Sequence, residues 1–242
     1  MDEAATIQGA GAAAAEEVAD GAPRRGALTR ATIDATAVDL FARLGYHAAS
    51  MRAIAAAAGI QPAAIYHWYE NKEALLFRLQ VDFMDRLEER VHAAAEARPA
   101  PAMKLAAAVR EHVHYHGLHP KSAFVTDSEI RALGDARRGQ LIARRDAYQA
   151  LWNGWIRDGV RDGSLRTTDS QVATRAILLE CTGVGLWFHR SGPLPLNDVC
   201  EIHVELVLAS LQASRELIDE AIAGLREIPA GLPGDDLEAE EA

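Results

Sequence analysis

The chain has 242 residues, of which 49% are hydrophobic and 25% charged, a balance that excludes wholesale disorder and leaves room for one or two domains with a sizeable core. Two cysteines, Cys181 and Cys200, are too few for a disulfide framework or an all-cysteine zinc site, and suit a reducing compartment. The formal charge of −10 argues at first sight against a nucleic-acid partner, but the charge is unevenly spread.

Residues 1–20 hold Asp2, Glu3, Glu16, Glu17 and Asp20 and no base. Residues 229–242 hold Asp235, Asp236, Glu238, Glu240 and Glu241, again with no base. These ten acids account for the whole net charge. Residues 21–80 instead hold seven bases (Arg24, Arg25, Arg30, Arg43, Arg52, Lys72, Arg78) against four acids (Asp34, Asp39, Glu70, Glu73). Both ends are poor in large apolar side chains and cannot offset their ordering entropy. They are expected to be a disordered N-terminal arm (1–22) and a disordered acidic tail (229–242). The start lacks the basic residues and apolar stretch of a secretory signal. The most apolar run, Ala176–Phe188, is short for a membrane span and carries Glu180. No membrane partner and a cytoplasmic location are expected.

In between, strand-like alternation is nearly absent, and the fold class expected is all-α, with a small N-terminal domain at 23–78 and a larger helical domain at 79–228. The first helix is predicted over Thr29–Leu44, with Ile33, Ala37, Leu40 and Phe41 on one face, Thr29 as its cap and Gly45 as its stop. Ser50 caps a short helix, Met51–Ala58, which Gly59 ends. Gln61-Pro62 opens a third helix running to Tyr69, since proline suits a first turn. Asn71 caps a long fourth helix from Lys72 to Ala95. Further helices are predicted at Ala102–His116, Ser122–Leu133, Ala136–Asp162, Asp169–His189 and Asn197–Glu227, punctuated by Gly117, Gly134, Gly163 and Ser191-Gly192-Pro193.

The most informative stretch is residues 50–76, SMRAIAAAAGIQPAAIYHWYENKEALL. Two short helices around a glycine turn form a helix-turn-helix pattern. Ile54, Ala55, Ala58, Ile60 and Ile65 can build a miniature core with Ile33, Ala37 and Phe41. The second helix then offers its polar face to a major groove. Trp68 and Tyr69 read as core.

LFARLGY, Ser50, Ile54-Ala55, Ala58-Gly59-Ile60, Ile65-Tyr66-His67-Trp68-Tyr69 and Lys72-Glu73-x-Leu75-Leu76 together resemble the TetR family of bacterial transcriptional repressors over about residues 28–78. Gln61 stands where the family often has Thr or Ser, and Ala63-Ala64 where it often has Gly. The resemblance implies double-stranded operator DNA as partner and contact roles for Arg25, Thr29, Arg30, Ser50, Arg52, Gln61, Ala63, Tyr66, His67 and Lys72. Gln61 can pair with adenine or meet a phosphate; the alternative is a solvated glutamine. Tyr66 and His67 match a phosphate- and groove-contacting pair, though Tyr66 could instead pack. Lys72 at a helix start would face a phosphate. Arg24-Arg25 would form an arm able to enter the minor groove.

The remaining helices are expected to enclose a small-molecule pocket and to form a homodimer through about 169–189 and 197–227. Val172, Ala176, Leu179 and Gly183 recur at helical spacing in the first, and Val199, Ile202, Leu206, Ala209, Ala213 and Leu217 in the second. Pocket candidates are His116, Phe124, Arg131, Arg144, Trp152, Trp155, Cys181 and Trp187, with simple core packing as the alternative. The stretches Glu129-Ile130-Arg131, Arg144-Arg145-Asp146-x-Tyr148 and GVGLWFHRSGPLPL resemble actinobacterial regulators of steroid and fatty-acid breakdown. That resemblance implies an acyl-CoA thioester as effector, with Arg131, Arg144 and Arg190 near its phosphates. No cofactor is implied. A rival reading is a metal-responsive repressor using His112, His116 and His119, which fall near one helix face. An acyl-CoA-handling enzyme has no supporting motif: no nucleophile elbow, phosphate loop or credible carboxylate pair.

Overall fold

The computed structural model describes the backbone of residues 21–226 and side chains from Thr29 onward. The tail and nearly all of the expected arm lie outside the described residues. Every regular element among the described residues is a helix: α1 (Gly21–Leu44), α2 (Met51–Ala57), α3 (Lys72–Glu96), α4 (Pro101–Leu118), α5 (Pro120–Ser128), α6 (Asp135–Asp162), α7 (Ser170–Trp187), α8 (Leu196–Ser210) and α9 (Arg215–Arg226). None is long and apolar enough to cross a membrane.

Local chemistry explains most boundaries. Ser50 accepts the Ala53 N–H at 3.1 Å, and Asn71 accepts that of Ala74 at 2.8 Å. Asp169 takes two N–H groups at the start of α7. Gly45 (φ +79°) and Gly59 (φ +69°) adopt the left-handed conformation that ends α1 and α2. At Gly59 the paired bonds Gly59 N–H to Ala56 C=O and Ile60 N–H to Ala55 C=O close a Schellman motif.

Four expectations are corrected. Helix α1 begins at Gly21, so Thr29 is an interior residue and not a cap, and Arg25 belongs to a helix, its side chain lying outside the described ones. The third helix shrinks to one 3₁₀ turn, Ala64–His67, held by bonds such as Ala64 N–H to Gln61 C=O and Trp68 N–H to Ile65 C=O. The predicted Ser122–Leu133 helix divides into α5 and a 3₁₀ turn, Glu129–Ala132. The single helix over Asn197–Glu227 is two: α8 ends in a second Schellman motif, with Gln212 at φ +56°, and Ser214 caps α9.

Two cores result. The smaller gathers Ile33, Ala37, Phe41, Ile54, Ala55 and Ile65, all buried, with Ala58 and Ile60 packed against them. It also contains Val125, Leu133 and Leu141, from α5, the following loop and α6. The expected boundary at 78/79 falls inside α3, a helix of about 37 Å at 1.5 Å per residue that spans both cores. The larger core surrounds α4, whose residues Leu105–Gly117 are all buried. Small residues permit the crowding. A Cβ on Gly117 would stand 2.4 Å from the side chain of Leu196 on α8.

A helix buried all round must satisfy its polar side chains internally. Glu111 sits between two guanidiniums, with Arg90 Nη2 3.0 Å from its Oε2 and Arg110 Nη1 2.8 Å from its Oε1. Removing the carboxylate leaves two cations facing each other in the interior. Glu111→Ala is expected to lose about 3–5 kcal/mol of stability. A urea melt that shifts by no more than an exposed-site variant would show that the carboxylate is dispensable.

Candidate nucleic-acid interface and effector site

The helix-turn-helix is assembled around the buried residues Ile54, Ala55 and Ile65, which turn the opposite edge of the segment outward. Ser50, Arg52, Gln61, Ala63, Tyr66 and His67 are all exposed. Tyr66 is 57% exposed despite its size. The Ser50 oxygen accepts the capping bond, so its O–H is left to donate to a phosphate. The strip can thus offer hydroxyl, guanidinium, amide, phenol and imidazole groups to a duplex.

Two predicted contacts are occupied within the chain. Lys72 Nζ donates to the carbonyls of Tyr46 and Ala49 at 2.6 Å each, and to that of His47 at 3.5 Å. It also lies 4.2 Å from the centre of the Tyr46 ring. The ammonium thus ties the loop after α1 to the start of α3, and partial burial lowers its pKa. Arg30 donates to Tyr69 Oη at 3.3 Å and Asp82 Oδ2 at 3.1 Å. Tyr69 is buried as expected, and its hydroxyl donates to Asp34. Trp68, expected in the core, is 39% exposed, because the 3₁₀ turn does not carry it round to the inner face. Thr29 is half-buried in mid-helix.

The pocket candidates separate into two groups. His116, Trp152, Trp155 and Cys181 are buried together in the larger core. Phe124, Arg131 and Trp187 are exposed, as is Arg190; they line no common interior. Arg144 is held by Glu88 through two bonds of 2.8 Å and by Asp85 at 2.6 Å, so its guanidinium is already neutralised. Around the buried group runs a polar network the sequence did not announce. His112 Nδ1 meets Tyr148 Oη at 2.9 Å and its Nε2 meets Thr182 Oγ1 at 3.1 Å. His116 stacks on His112, ring centres 4.1 Å apart, and donates from Nδ1 to the His112 carbonyl at 2.8 Å. Helices α4, α6 and α7 each contribute to this cluster. In the sequence Tyr148 belongs only to the Arg144-Arg145-Asp146-x-Tyr148 stretch, and Thr182 carries no signal.

The histidine face expected to offer a metal site is thereby used otherwise. Both His112 nitrogens have hydroxyl partners, and no cluster of three or more His, Cys, Asp or Glu side chains suited to a metal occurs among the described residues. An open groove of about 580 Å³ does exist, lined by Ile130, Arg131, Arg138, Ile142, Arg145 and Asp146, a size typical of ligand clefts. Arg138 pairs there with Asp135, and Arg145 with Asp127 and the Thr126 carbonyl.

Among the described residues, an all-helical fold with an N-terminal helix-turn-helix and a larger helical unit defines the architecture of a DNA-binding regulator. Residues 33–79 match the family of bacterial regulatory proteins of the tetR type, and residues 99–211 match the tetracyclin repressor-like C-terminal domain. The chain belongs to the TetR family of transcriptional regulators, not to a family of enzymes. Among its relatives is the HTH-type transcriptional repressor KstR2 of Mycolicibacterium smegmatis, 26% identical over 80% of this chain and 95% of that one. A tetR-family regulatory protein from Rhodococcus RHA1 has 26% identity and a TM-score of 0.72, covering 77% of this chain and 98% of its own. AibR, solved in complex with isovaleryl coenzyme A and operator DNA, has 27% identity and a TM-score of 0.66 over 74% and 96%.

Burial holds the His112 and His116 pKa values down, that of His116 at about 4. The His116 ring is therefore neutral in the folded protein at pH 5–6, whereas unfolded histidine charges below about pH 6.5. The unfolded chain then binds more protons, so stability is full above about pH 6.5 and falls as pH drops toward 4, by about 3 kcal/mol for His116. His116→Leu should flatten that slope in melts taken across the window; parallel slopes would refute the assignment.

Proposed function

We propose that the protein is a dimeric transcriptional repressor that grips a palindromic operator and leaves it when an acyl-type ligand, such as an acyl-CoA thioester, binds the larger unit. The observation that carries the DNA half is the exposed strip Ser50, Arg52, Gln61, Ala63, Tyr66 and His67, backed by a fully buried miniature core. One such strip reads too few bases for useful specificity. Two, spaced by a dimer about 34 Å apart, meet successive major grooves. The bacterial cytoplasm, at the nucleoid, is the corresponding place of action.

A second copy of the chain suits the outer face of α7 and α8. Val172, Leu179 and Leu186 recur every seven residues on α7 and are 60%, 77% and 72% exposed. Ile202 and Leu206 extend the patch on α8. Apolar side chains this exposed along two successive helices are the mark of a helical interface. The expected register shifts slightly: Val199 is buried and Ala213 and Leu217 are half-buried within the subunit, while Ile202, Leu206 and Ala209 point outward.

The effector reading rests on chemistry and kinship together. His112, His116, Tyr148 and Thr182 place hydroxyl and imidazole groups beside Trp152, Trp155 and Cys181, a mixture that suits an apolar chain ending in a carbonyl. AibR carries isovaleryl coenzyme A, an effector of that class. Exposed Arg131, in the groove with Arg138 and Arg145, is the available cation for an anionic tail.

Selection of duplexes from a random pool should return a palindrome, with affinity falling steeply as salt rises. Gln61→Ala should relax discrimination at particular positions by about 1–3 kcal/mol per base pair; an unchanged selected sequence would remove the base-reading role. Leu179→Glu should yield monomers by sedimentation and abolish operator binding at low concentration. A monomeric wild type that binds its site as tightly would overturn the dimer.

A further inference from the structure

The loop between α1 and α2, Gly45–Ala49, is held from both sides. From below, Lys72 at the start of α3 binds its carbonyls at Tyr46, His47 and Ala49. From above, Glu129 Oε1 accepts the Tyr46 N–H at 3.1 Å, and a Cβ added at Gly45 would lie in ordinary contact with that oxygen, at 3.9 Å. Glu129 belongs to the 3₁₀ turn after α5, 83 residues further along the chain. It is the one acceptor from the larger unit shown on this loop's backbone among the described residues.

Two further links tie the same corner to the helix-turn-helix. Lys121 on α5 meets Asp39 on α1 at 2.7 Å. Glu73 on α3 accepts the Gly134 N–H at 3.1 Å and pairs with Arg137 on α6 at 3.2 Å. These three sets of contacts surround a shared apolar patch of Tyr46, Val125, Leu133 and Leu141. On its far side, α5 abuts α7: a Cβ on Gly185 would stand 3.5 Å from Ala123 and 3.6 Å from the His116 carbonyl. The α5 corner therefore lies between the polar network of α4, α6 and α7 and the loop that aims α2.

We propose that Glu129 is a positioning residue for DNA binding: through the Tyr46 N–H it sets the angle of α2 and the recognition turn, and it transmits the state of the larger unit to them. Lys72 fixes the loop to its own domain, so that the loop moves as a piece. Glu129 is the handle by which the other domain moves it. A shift of α5 that withdraws the carboxylate frees the Tyr46 N–H and lets α2 tilt. By reciprocity, binding of DNA must tighten the Glu129 contact as much as that contact favours DNA. This inference rests on the operator-binding reading above, but needs no knowledge of the effector.

The test uses the full chain and a duplex obtained by selection, with hydrogen exchange as readout. In the wild type, the duplex should slow exchange at Tyr46–Ser50 and also at Glu129–Leu133, outside the contact strip. In Glu129→Ala, affinity should fall by at least about fivefold, the low end of ordinary coupling between sites. Slowing should persist near Ser50 and vanish at Glu129–Leu133. Glu129→Gln keeps an acceptor for the Tyr46 N–H and should restore the remote slowing at least in part; it carries the test if the alanine variant fails to fold. A purely structural role would lower stability and affinity in Glu129→Ala yet leave the remote slowing intact, and that result overturns the proposal. So does a wild type that binds DNA with no change at Glu129–Leu133. Failure of the wild type to bind any duplex overturns the operator reading itself, and this inference with it.

Discussion

The constraint on which the structure turns is the size of the DNA-binding unit. A unit of about 50 residues buries too little surface to be secure alone. Here it borrows: Val125, Leu133 and Leu141 complete a core that Ile33, Phe41, Ile54 and Ile65 begin. The loan has a mechanical consequence. A helix-turn-helix that shares apolar side chains with its neighbour cannot be re-aimed without repacking that neighbour, and close-packed interiors repack between discrete arrangements instead of deforming smoothly. Stability and communication thus come from the same few contacts.

The interior of the larger unit shows a matching economy. Helix α4 is buried along its length yet carries Arg110, Glu111, His112, His114 and His116. An apolar helix would pack there more simply, and buried ion pairs are seldom the most stabilising choice. What the polar groups supply is a set of directed contacts to three neighbouring helices: Arg90 on α3, Tyr148 on α6, Thr182 on α7, and, through the edge of the His116 ring, Phe83 on α3. Directed bonds have preferred partners, so a ligand that offers a better acceptor can exchange places with one of them. Neutral imidazoles suit this, since each can donate or accept.

Much of the fold was legible in the sequence because its signals are local. Ser50, Asn71, Gly45 and Gly59 mark ends by chemistry that involves only neighbouring peptide groups, and the periodic Ile33, Ala37 and Phe41 show which face is buried. The break between α8 and α9 was hidden because Gln212 occupies the left-handed position where glycine would have announced it. The candidate contacts were half legible for a related reason. Periodicity places Gln61, Ala63, Tyr66 and His67 outside correctly. It cannot say that the Lys72 ammonium reaches back more than twenty residues to Tyr46 and Ala49, or that Arg144 is claimed by Glu88 and Asp85 on another helix. Long cations find partners within a radius of several ångströms, and chain spacing carries little of that information. The sequence likewise does not distinguish the pocket aromatics: Trp152 and Trp187 look alike in it, yet one is fully buried and the other half-exposed.

The apolar stripe on α7 brings these threads together. Its outward face presents Val172, Leu179 and Leu186, while its inward face carries Thr182 to His112 and lays Gly185 against Ala123 and the His116 carbonyl. One helix therefore belongs at once to an exposed apolar face, to the polar network and to the wall against which α5 rests. A rigid element shared in this way cannot shift for one neighbour alone. If two α7 helices are pinned across a symmetric interface, the movement must pass to a partner of α7, and the short α5 with its 3₁₀ extension is the one that meets the DNA-binding unit, through the apolar patch of Val125 and Leu133, the Lys121–Asp39 ion pair and the Glu129-to-Tyr46 bond. A subunit pair built this way would keep its centre fixed and move its two reading heads.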